Sequence, residues 1–243
     1  MKSLMWFRND LRMDDNPALR EACKSSDEIH AIYIYSQNQN KKHNEANCKT
    51  EFFIENLKVL ERELSNINIP LNILNSDGFE DNSEVISNYA QNNSLNKVFW
   101  NNQFGVDENE RDESVQNHLK SKNIEFESFD EQVVFAPGTI LTGEGKPYSV
   151  FTPFKRRWID NFNLDLLDIE FEYTKKKTTK IKSNLNKFDF QFKKNNQVDM
   201  SLWPAGESEA LSRLNIYLDK NIFRYAQDRN DPIIDGTSRL SAY

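Results

Sequence analysis

Short apolar runs alternate with segments of helical periodicity over residues 1–129, and this alternation constrains the fold more than any other feature. The runs are too short for helices and most are followed by polar residues; they lie at 4–7, 29–34, 71–74, 97–100 and 124–126. Between them, apolar residues recur at helical spacing, as in the series Phe53, Leu57, Leu60, Leu64 and Ile67. Strands separated by helices need crossover connections. The sequence therefore predicts an α/β fold, with a five-stranded, mostly parallel, Rossmann-like sheet and helices on both faces.

The pattern changes after residue 165 and divides the chain into three parts. Residues 1–165 form the α/β unit, closed by a turn-rich loop and an aromatic helical segment. Residues 166–200 are rich in Lys, Thr, Asn and Gln with little periodicity, which predicts a solvated linker, with a nucleic-acid-binding tail as the alternative. Residues 201–243 begin a third part. Its apolar residues predict an amphipathic helix: Leu211, Leu214, Leu218, Ile222 and Tyr225.

Composition excludes several classes of protein. The 243 residues include only 2 cysteines, too few for a disulfide framework and consistent with a reducing compartment. No apolar run reads as a signal peptide or a membrane span, so we expect a cytoplasmic protein. The net charge of −7 argues against the whole chain acting as a nonspecific polyanion binder.

Ligands of open α/β sheets bind beyond the carboxyl ends of the strands, where residues 8–15 and 101–112 fall. The alternating charges of Arg8, Asp10, Arg12 and Asp15 favour an ion-pair network that locks a loop, with direct ligand contact as the alternative. Neither GxGxxG nor a P-loop follows the first strand, no metal-ligand spacing appears, and no nucleophile elbow is present. Residue patterns alone thus predict an α/β domain with an unidentified ligand.

Four segments carry more specific motifs, in a fixed order along the chain. Residues 6–19 read WFRNDLRMDDNPAL, and residues 100–112 end in ENERD. Residues 142–158 contain TG and YSVFTPFKRRW, and residues 225–241 contain YAQDR and GTSRLS. Together these segments resemble the DNA photolyase/cryptochrome family, and most closely its bacterial members that repair cyclobutane pyrimidine dimers. The resemblance covers nearly the whole chain except the predicted linker.

The resemblance implies two cofactor sites and a DNA contact. The family's first FAD-binding motif matches Tyr225, Thr237, Ser238, Arg239, Leu240 and Ser241. Asp107 and Glu108 match positions that face the pterin of an antenna folate, 5,10-methenyltetrahydrofolate, although an acid at the start of a helix also serves as a cap. Asp107 replaces the Asn expected in folate-binding relatives, so a deazaflavin antenna is the alternative. Arg229 matches a position near the DNA-binding face, with an ordinary surface arginine as the alternative.

The activity implied by the resemblance is the light-driven, FAD-dependent splitting of pyrimidine dimers in damaged DNA, a carbon–carbon lyase reaction. Residues 201–243 would be the incomplete start of a truncated all-α FAD-binding domain, with no catalytic residue within this chain. We therefore expect the chain alone to be inactive, monomeric and free of membrane contact. In folate-antenna relatives the pocket lies between two domains, so we also expect weak folate retention. The alternatives are a cryptochrome-like photosensor and a free-standing pterin- or nucleotide-binding module.

Overall fold

The structure, a computed structural model, describes residues 1–164, 171–192 and 198–243. The strands are β1 (Lys2–Phe7), β2 (Glu28–Tyr35), β3 (Leu71–Asn75), β4 (Lys97–Asn101) and β5 (Glu125–Phe129). The helices are α1 (Pro17–Ser25), α2 (Gln37–Lys42), α3 (Asn47–Asn66), α4 (Asn82–Asn92), α5 (Val106–Ser121), α6 (Phe151–Asn161), α7 (Glu207–Ile216) and α8 (Tyr225–Asp228).

The strands form one sheet in the order β3-β2-β1-β4-β5, and every neighbouring pair is parallel. The predicted five-stranded α/β sheet is confirmed. Only the short polar helix α2 has no counterpart in the sequence prediction. Because β1 and β4 lie inside the sheet with helices on both faces, they read as unbroken apolar runs.

Each face of the sheet has its own core. Alternate side chains of a strand point to opposite faces, so Met5 and Phe7 join one core while Leu4 and Trp6 join the other. Helices α1 and α3 cover the first face, and α4 and α5 cover the second. Helix α1 begins where the sequence predicts, because the side chain of Asn16 accepts a hydrogen bond of 3.0 Å from the amide of Leu19 and Pro17 fills the first turn.

Residues 171–192, which we call the strap, pack against the α/β domain. The prediction of a solvated linker is wrong for this part of 166–200, because Leu185 and Phe190 are buried in the core of the first face. The strap's buried and half-buried aromatic residues alternate with polar ones, at 171 and 173 and at 188, 190 and 192, a period of two that the prediction of a linker overlooked. The division of the chain into domains stays a prediction, and residues 165–170 and 193–197 lie outside the described residues.

Side-chain and backbone hydrogen bonds fix the strap along its length. The side chain of Asn184 accepts a bond of 2.7 Å from the amide of Ile73 and donates one of 2.9 Å to its carbonyl. These are the two bonds that a neighbouring strand would make with β3. Further along, the amide of Lys176 donates to the carbonyl of Ile67 at 2.9 Å.

The predicted helix at 206–228 forms, but its backbone is irregular. Helix α7 passes through a π-helical turn (Tyr217–Asn221) and a 3-10 turn (Ile222–Arg224) before α8. Its apolar side chains stay accessible, with Leu211 49% and Phe223 86% exposed. The carboxylate of Glu207 accepts bonds of 3.3 Å from the amides of Met13 and Asp14, which joins α7 to the α/β domain. None of the described helices is long and apolar enough to cross a membrane.

Candidate functional site

The carboxyl edge of the sheet holds a buried group of two arginines and one aspartate. Arg8 follows β1 directly, and its Nη1 donates to both carboxylate oxygens of Asp112 at 2.8 and 2.7 Å. The neighbouring Arg111 donates to Asp112 Oδ1 from Nη2 at 2.7 Å and from Nε at 2.9 Å. All three residues are at most 6% exposed. One carboxylate therefore faces two buried guanidinium groups.

Cation–π contacts with Trp6 and a lowered pKa of Arg111 both reduce the cost of this excess of positive charge. The guanidinium carbons of Arg8 and Arg111 lie 4.8 and 4.9 Å from the ring centroid of Trp6, within the range of a cation–π contact. Burial lowers the pKa of Arg111, the charge of Arg8 lowers it further, and Asp112 opposes both. The site retains a positive character that a ligand with oxygen acceptors complements.

A second, adjacent hydrogen-bond network joins the carboxylate of Asp10 to the side-chain amides of Asn101 and Asn16. Asp10 accepts bonds from the Arg8 amide at 2.7 Å and from Asn101 Nδ2 at 2.6 Å. Asn101 also donates to Asn16 at 2.8 Å and accepts from the Ala18 amide at 3.1 Å, so it ties the end of β4 to the start of α1. The sequence predicted an ion-pair network within residues 8–15. The charged partner of Arg8 is instead Asp112, 104 positions later.

The backbone of Arg12 joins the second network, because its carbonyl accepts from Asn16 Nδ2 at 3.1 Å, but its guanidinium pairs elsewhere. Its Nη2 pairs with Glu131 from the loop after β5 and donates to the carbonyl of Asp15. Burial lowers the pKa of Arg12, but the hydrogen bond and charge of Glu131, together with the charges of Asp10 and Asp15, outweigh it, so the pKa is raised. Arg12 thus fixes the loop, as the sequence predicts for this group of charges.

A cavity of about 330 Å³ opens beside the buried arginines. Aromatic side chains from four elements or loops form much of its wall: Tyr33, Tyr35, Phe53, Phe79 and Phe190. Arg8, Arg111 and Asn82 also line it. Two nitrogens of Arg8, Nε and Nη2, and the side-chain oxygen of Asn82 are buried with no hydrogen-bond partner among the described residues. The cavity thus combines flat aromatic walls with a few polar side chains, which suits a planar heterocycle.

The two predicted antenna residues have different positions relative to this cavity. Both lie in the first turn of α5; Glu108 is half-buried and lines the cavity, whereas Asp107 is exposed and lies outside it. The carboxylate of Glu108 folds back over Gly105, where an added Cβ would come within 1.9 Å of Oε2. Glu108 is therefore available to a ligand and also close to the helix terminus.

The predicted FAD residues are only partly brought together. Thr237 and Ser238 line a cavity of about 260 Å³ together with residues of α7 and the π-helical turn. Arg239 has a left-handed backbone, with φ of 54°, and its guanidinium pairs with Asp235 at 3.0 Å. Leu240 and Ser241 lie in the last 3-10 turn. Tyr225 lies outside this cavity and contacts the ring of Tyr217.

The remaining candidates have local partners. Arg229 is exposed, with its guanidinium carbon 5.5 Å from the ring centroid of Tyr225. His30 is buried between Glu28, Tyr89 and the strap residue Thr179. In the part of the chain that the structure describes, no group of three or more His, Cys, Asp or Glu side chains is arranged to hold a metal ion.

Sequence reasoning missed several residues of the site, namely Asn101, Gln103, Arg111, Asp112 and Phe190. The first four fall in the segment 101–112 that the sequence assigns to the ligand edge, so their region was identified but their roles were not. Phe190 lies in the supposed linker, and the signal that could have found it is the alternation of Phe188, Phe190 and Phe192 with polar residues.

Comparisons with known proteins agree with this fold. The family model described as DNA photolyase matches residues 3–179, more than half of the chain. The deoxyribodipyrimidine photo-lyase of Salmonella typhimurium is 31% identical over 240 residues, which is 98% of this chain and 50% of the relative. The chain spans about half the length of the curated relatives it matches.

Solved structures share the fold. The class III photolyase from Agrobacterium tumefaciens superposes with a TM-score of 0.78 at 23% identity, over 99% of this chain and 49% of that one. A photolyase from Sulfolobus tokodaii, described with two FAD molecules, gives a TM-score of 0.72 at 21% identity over 100% and 51% of the two chains. The motifs, the sheet order and the match of the family model lead to one conclusion: this chain belongs to the DNA photolyase family.

Proposed function

We propose that the chain is the N-terminal part of a deoxyribodipyrimidine photo-lyase, an enzyme of light-driven, FAD-dependent repair of cyclobutane pyrimidine dimers. The observation that carries this proposal is the extent of the similarity. It runs along 98% of the chain, including the C-terminal segment with the FAD motif, to a relative named for this activity. The substrate would be damaged duplex DNA, and the protein would act as a cytoplasmic monomer.

The proposal assigns FAD to the C-terminal segment. Thr237 and Ser238 would offer hydroxyl and amide donors to the pyrophosphate, because both already face one cavity. Arg239 would have to leave Asp235 to reach the cofactor, and this exposed pair is weak enough to exchange. Tyr225, Leu240 and Ser241 would complete the contacts from the two turns. When bound, FAD supplies the electron-transfer chemistry, and these residues bind and orient it.

The antenna chromophore is assigned to the carboxyl edge of the sheet. Glu108 at the cavity wall would accept hydrogen bonds from the amino-pyrimidinone edge of 5,10-methenyltetrahydrofolate, with Asp107 at the entrance. The guanidinium groups of Arg8 and Arg111, both in the lining, would donate to a carbonyl oxygen. The same donors and aromatic walls fit a deazaflavin, which is the alternative antenna.

Light-dependent repair by a full-length form tests the function. In that form this chain is joined to the C-terminal half of such an enzyme, and the substrate is an oligonucleotide with one thymine dimer. We expect repair under blue light by the full-length form and none by the 243-residue chain. Repair by the short chain, or a full-length form that retains FAD and binds the lesion without splitting it, would contradict the proposal.

Two arginine variants of the full-length form separate the cofactor from the DNA. Replacing Arg239→Ala should lower the FAD content, while Arg229→Ala should leave FAD content unchanged and weaken binding to damaged DNA by removing a phosphate contact. Flavin absorbance of the purified variants and a DNA titration at fixed salt measure both effects. Equal FAD content in the two variants would remove Arg239 from the cofactor site.

A further inference from the structure

The cavity beside the buried arginines has one wall that does not come from the α/β domain. Most of its lining belongs to the strand ends, to α2 and α3, and to the start of α5. Phe190, from the strap, supplies the remaining wall. This residue is 8% exposed and meets Tyr35, at the end of β2, edge to face with ring centroids 5.2 Å apart.

The strap holds Phe190 from both sides. On the N-terminal side, Asn184 is bonded twice to the backbone of Ile73, and Leu185 is buried in the core. On the C-terminal side, the side chain of Gln37 in α2 donates a bond of 2.7 Å to the carbonyl of Gln191. The ring therefore has a fixed position, which a wall that selects ligands by size requires.

Phe188 provides an internal comparison. It packs on the same Tyr35 ring, at 6.1 Å, and on Phe190, at 4.8 Å, but it does not line the cavity. Both phenylalanines therefore attach the strap to β2. Only Phe190 has a face available to a ligand.

We propose that Phe190 is a specificity-determining residue that limits the size of the planar ligand admitted to this cavity. Its ring stands edge-on to Tyr35 in an aromatic-walled space of about 330 Å³, so its removal extends the cavity in the direction of the strap. A ligand with three fused rings gains from that extension, whereas a ligand with two rings does not need it. The proposal rests on the proposed antenna function of the same cavity.

The test uses the 243-residue chain and two probes of different ring size. These are 6,7-dimethyllumazine, with two fused rings, and riboflavin, with three; ligand fluorescence gives both affinities. In Phe190→Ala the affinity for riboflavin relative to lumazine should rise about tenfold, because small changes in pocket size give selectivities of this order. The matched control Phe188→Ala should keep the wild-type ratio, and Phe190→Leu should restore much of it.

Asn184→Ala provides a second test of the proposal. Asn184 is a strap residue that is hydrogen-bonded to β3, and it does not line the cavity. If the strap positions the wall, this variant should shift the ratio in the same direction as Phe190→Ala while retaining the wild-type circular dichroism. This variant also keeps the proposal testable if Phe190→Ala does not fold.

The outcomes separate this inference from the proposed function. An equal ratio in Phe190→Ala and Phe188→Ala overturns the inference, and so does a failure of every variant to bind either probe. If only Phe190→Ala binds a probe, the result supports the inference that Phe190 limits ligand size. It contradicts the proposal that the wild-type cavity holds an antenna chromophore. Light-dependent repair by the full-length form stands apart from all of these, because it requires FAD and not the antenna cavity.

Discussion

The carboxyl edge of the sheet and the C-terminal segment, residues 206–243, differ in what they bury. At the edge, charged groups are buried, paired across distant parts of the chain and covered by two cores. In the C-terminal segment the apolar residues are exposed, and ion pairs form four positions apart, as between Arg224 and Asp228. The carboxyl edge is stabilised by ion pairs and cores that lie within the α/β domain. The C-terminal segment has an apolar surface of the kind that contacts other protein.

The largest expected difference concerns one arginine-paired aspartate from each region, Asp112 at the edge and Asp235 in the C-terminal segment. Asp112→Asn should lower the free energy of unfolding by about 3–5 kcal/mol, because it leaves two buried guanidinium groups without their carboxylate. Asp235→Asn, at an exposed pair, should change it by about 0–1 kcal/mol. Urea unfolding followed by tryptophan fluorescence measures both. A similar loss in the two variants would contradict the distinction between the regions.

A matched pair of leucines sharpens the comparison for apolar groups. Leu57 in α3 is 1% exposed and Leu211 in α7 is 49% exposed. Leu57→Ala should cost about 2–5 kcal/mol of unfolding free energy, because it removes buried methylenes and leaves a cavity. Leu211→Ala should stay within about 0.5 kcal/mol in the 243-residue chain. A large loss for Leu211→Ala would mean that α7 is covered in solution, for example by self-association, which light scattering would detect.

The smallest expected effects are opposite pH dependences. Burial lowers the pKa of His30 from 6.5, against the raising effect of Glu28. The contribution of His30 to the free energy of unfolding is therefore complete above pH 6.5 and is lost as the pH falls through the pKa of the folded state. Burial and the charges of Asp14 and Glu63 raise the pKa of Glu207 from 4.5, against two backbone hydrogen bonds. Its contribution is complete below pH 4.5 and is lost as pH rises through the folded-state value.

Hydrogen exchange of the strap and of α7 across this pH range checks both signs. Acidification below pH 6.5 should weaken protection near Thr179, which contacts His30, and strengthen it in the first turn of α7. His30→Gln should remove only the pH dependence of protection near Thr179, and Glu207→Gln only that in the first turn of α7. Two dependences of the same sign would show that at least one of these groups is not the titrating one.

The sequence predicted those parts of the molecule whose cause is local or periodic. The inner strands β1 and β4 were predicted because they are apolar runs buried on both faces, and α1 because Asn16 and Pro17 mark its start. Helix α2 was missed since all six of its residues, Gln37–Lys42, are polar and none is buried. The pairing of Arg8 with Asp112 spans 104 positions, and the alternation of Phe188, Phe190 and Phe192 with polar residues does not say which part of the sheet Phe190 covers. Such contacts follow from topology, which a single sequence does not encode in its local pattern.

Asn184 also has a consequence for how copies of the chain behave in concentrated solution. The two outer strands of a sheet present unpaired amides and carbonyls, and these are templates for pairing with another polypeptide. At β3, the Asn184 side chain satisfies the amide and carbonyl of Ile73, the middle residue of the strand. At the opposite edge, β5 carries the acidic residues Glu125 and Glu127, which repel a like strand. The β3 edge is thus protected against intermolecular growth at its middle residue, and a single side-chain amide in the strap provides that protection.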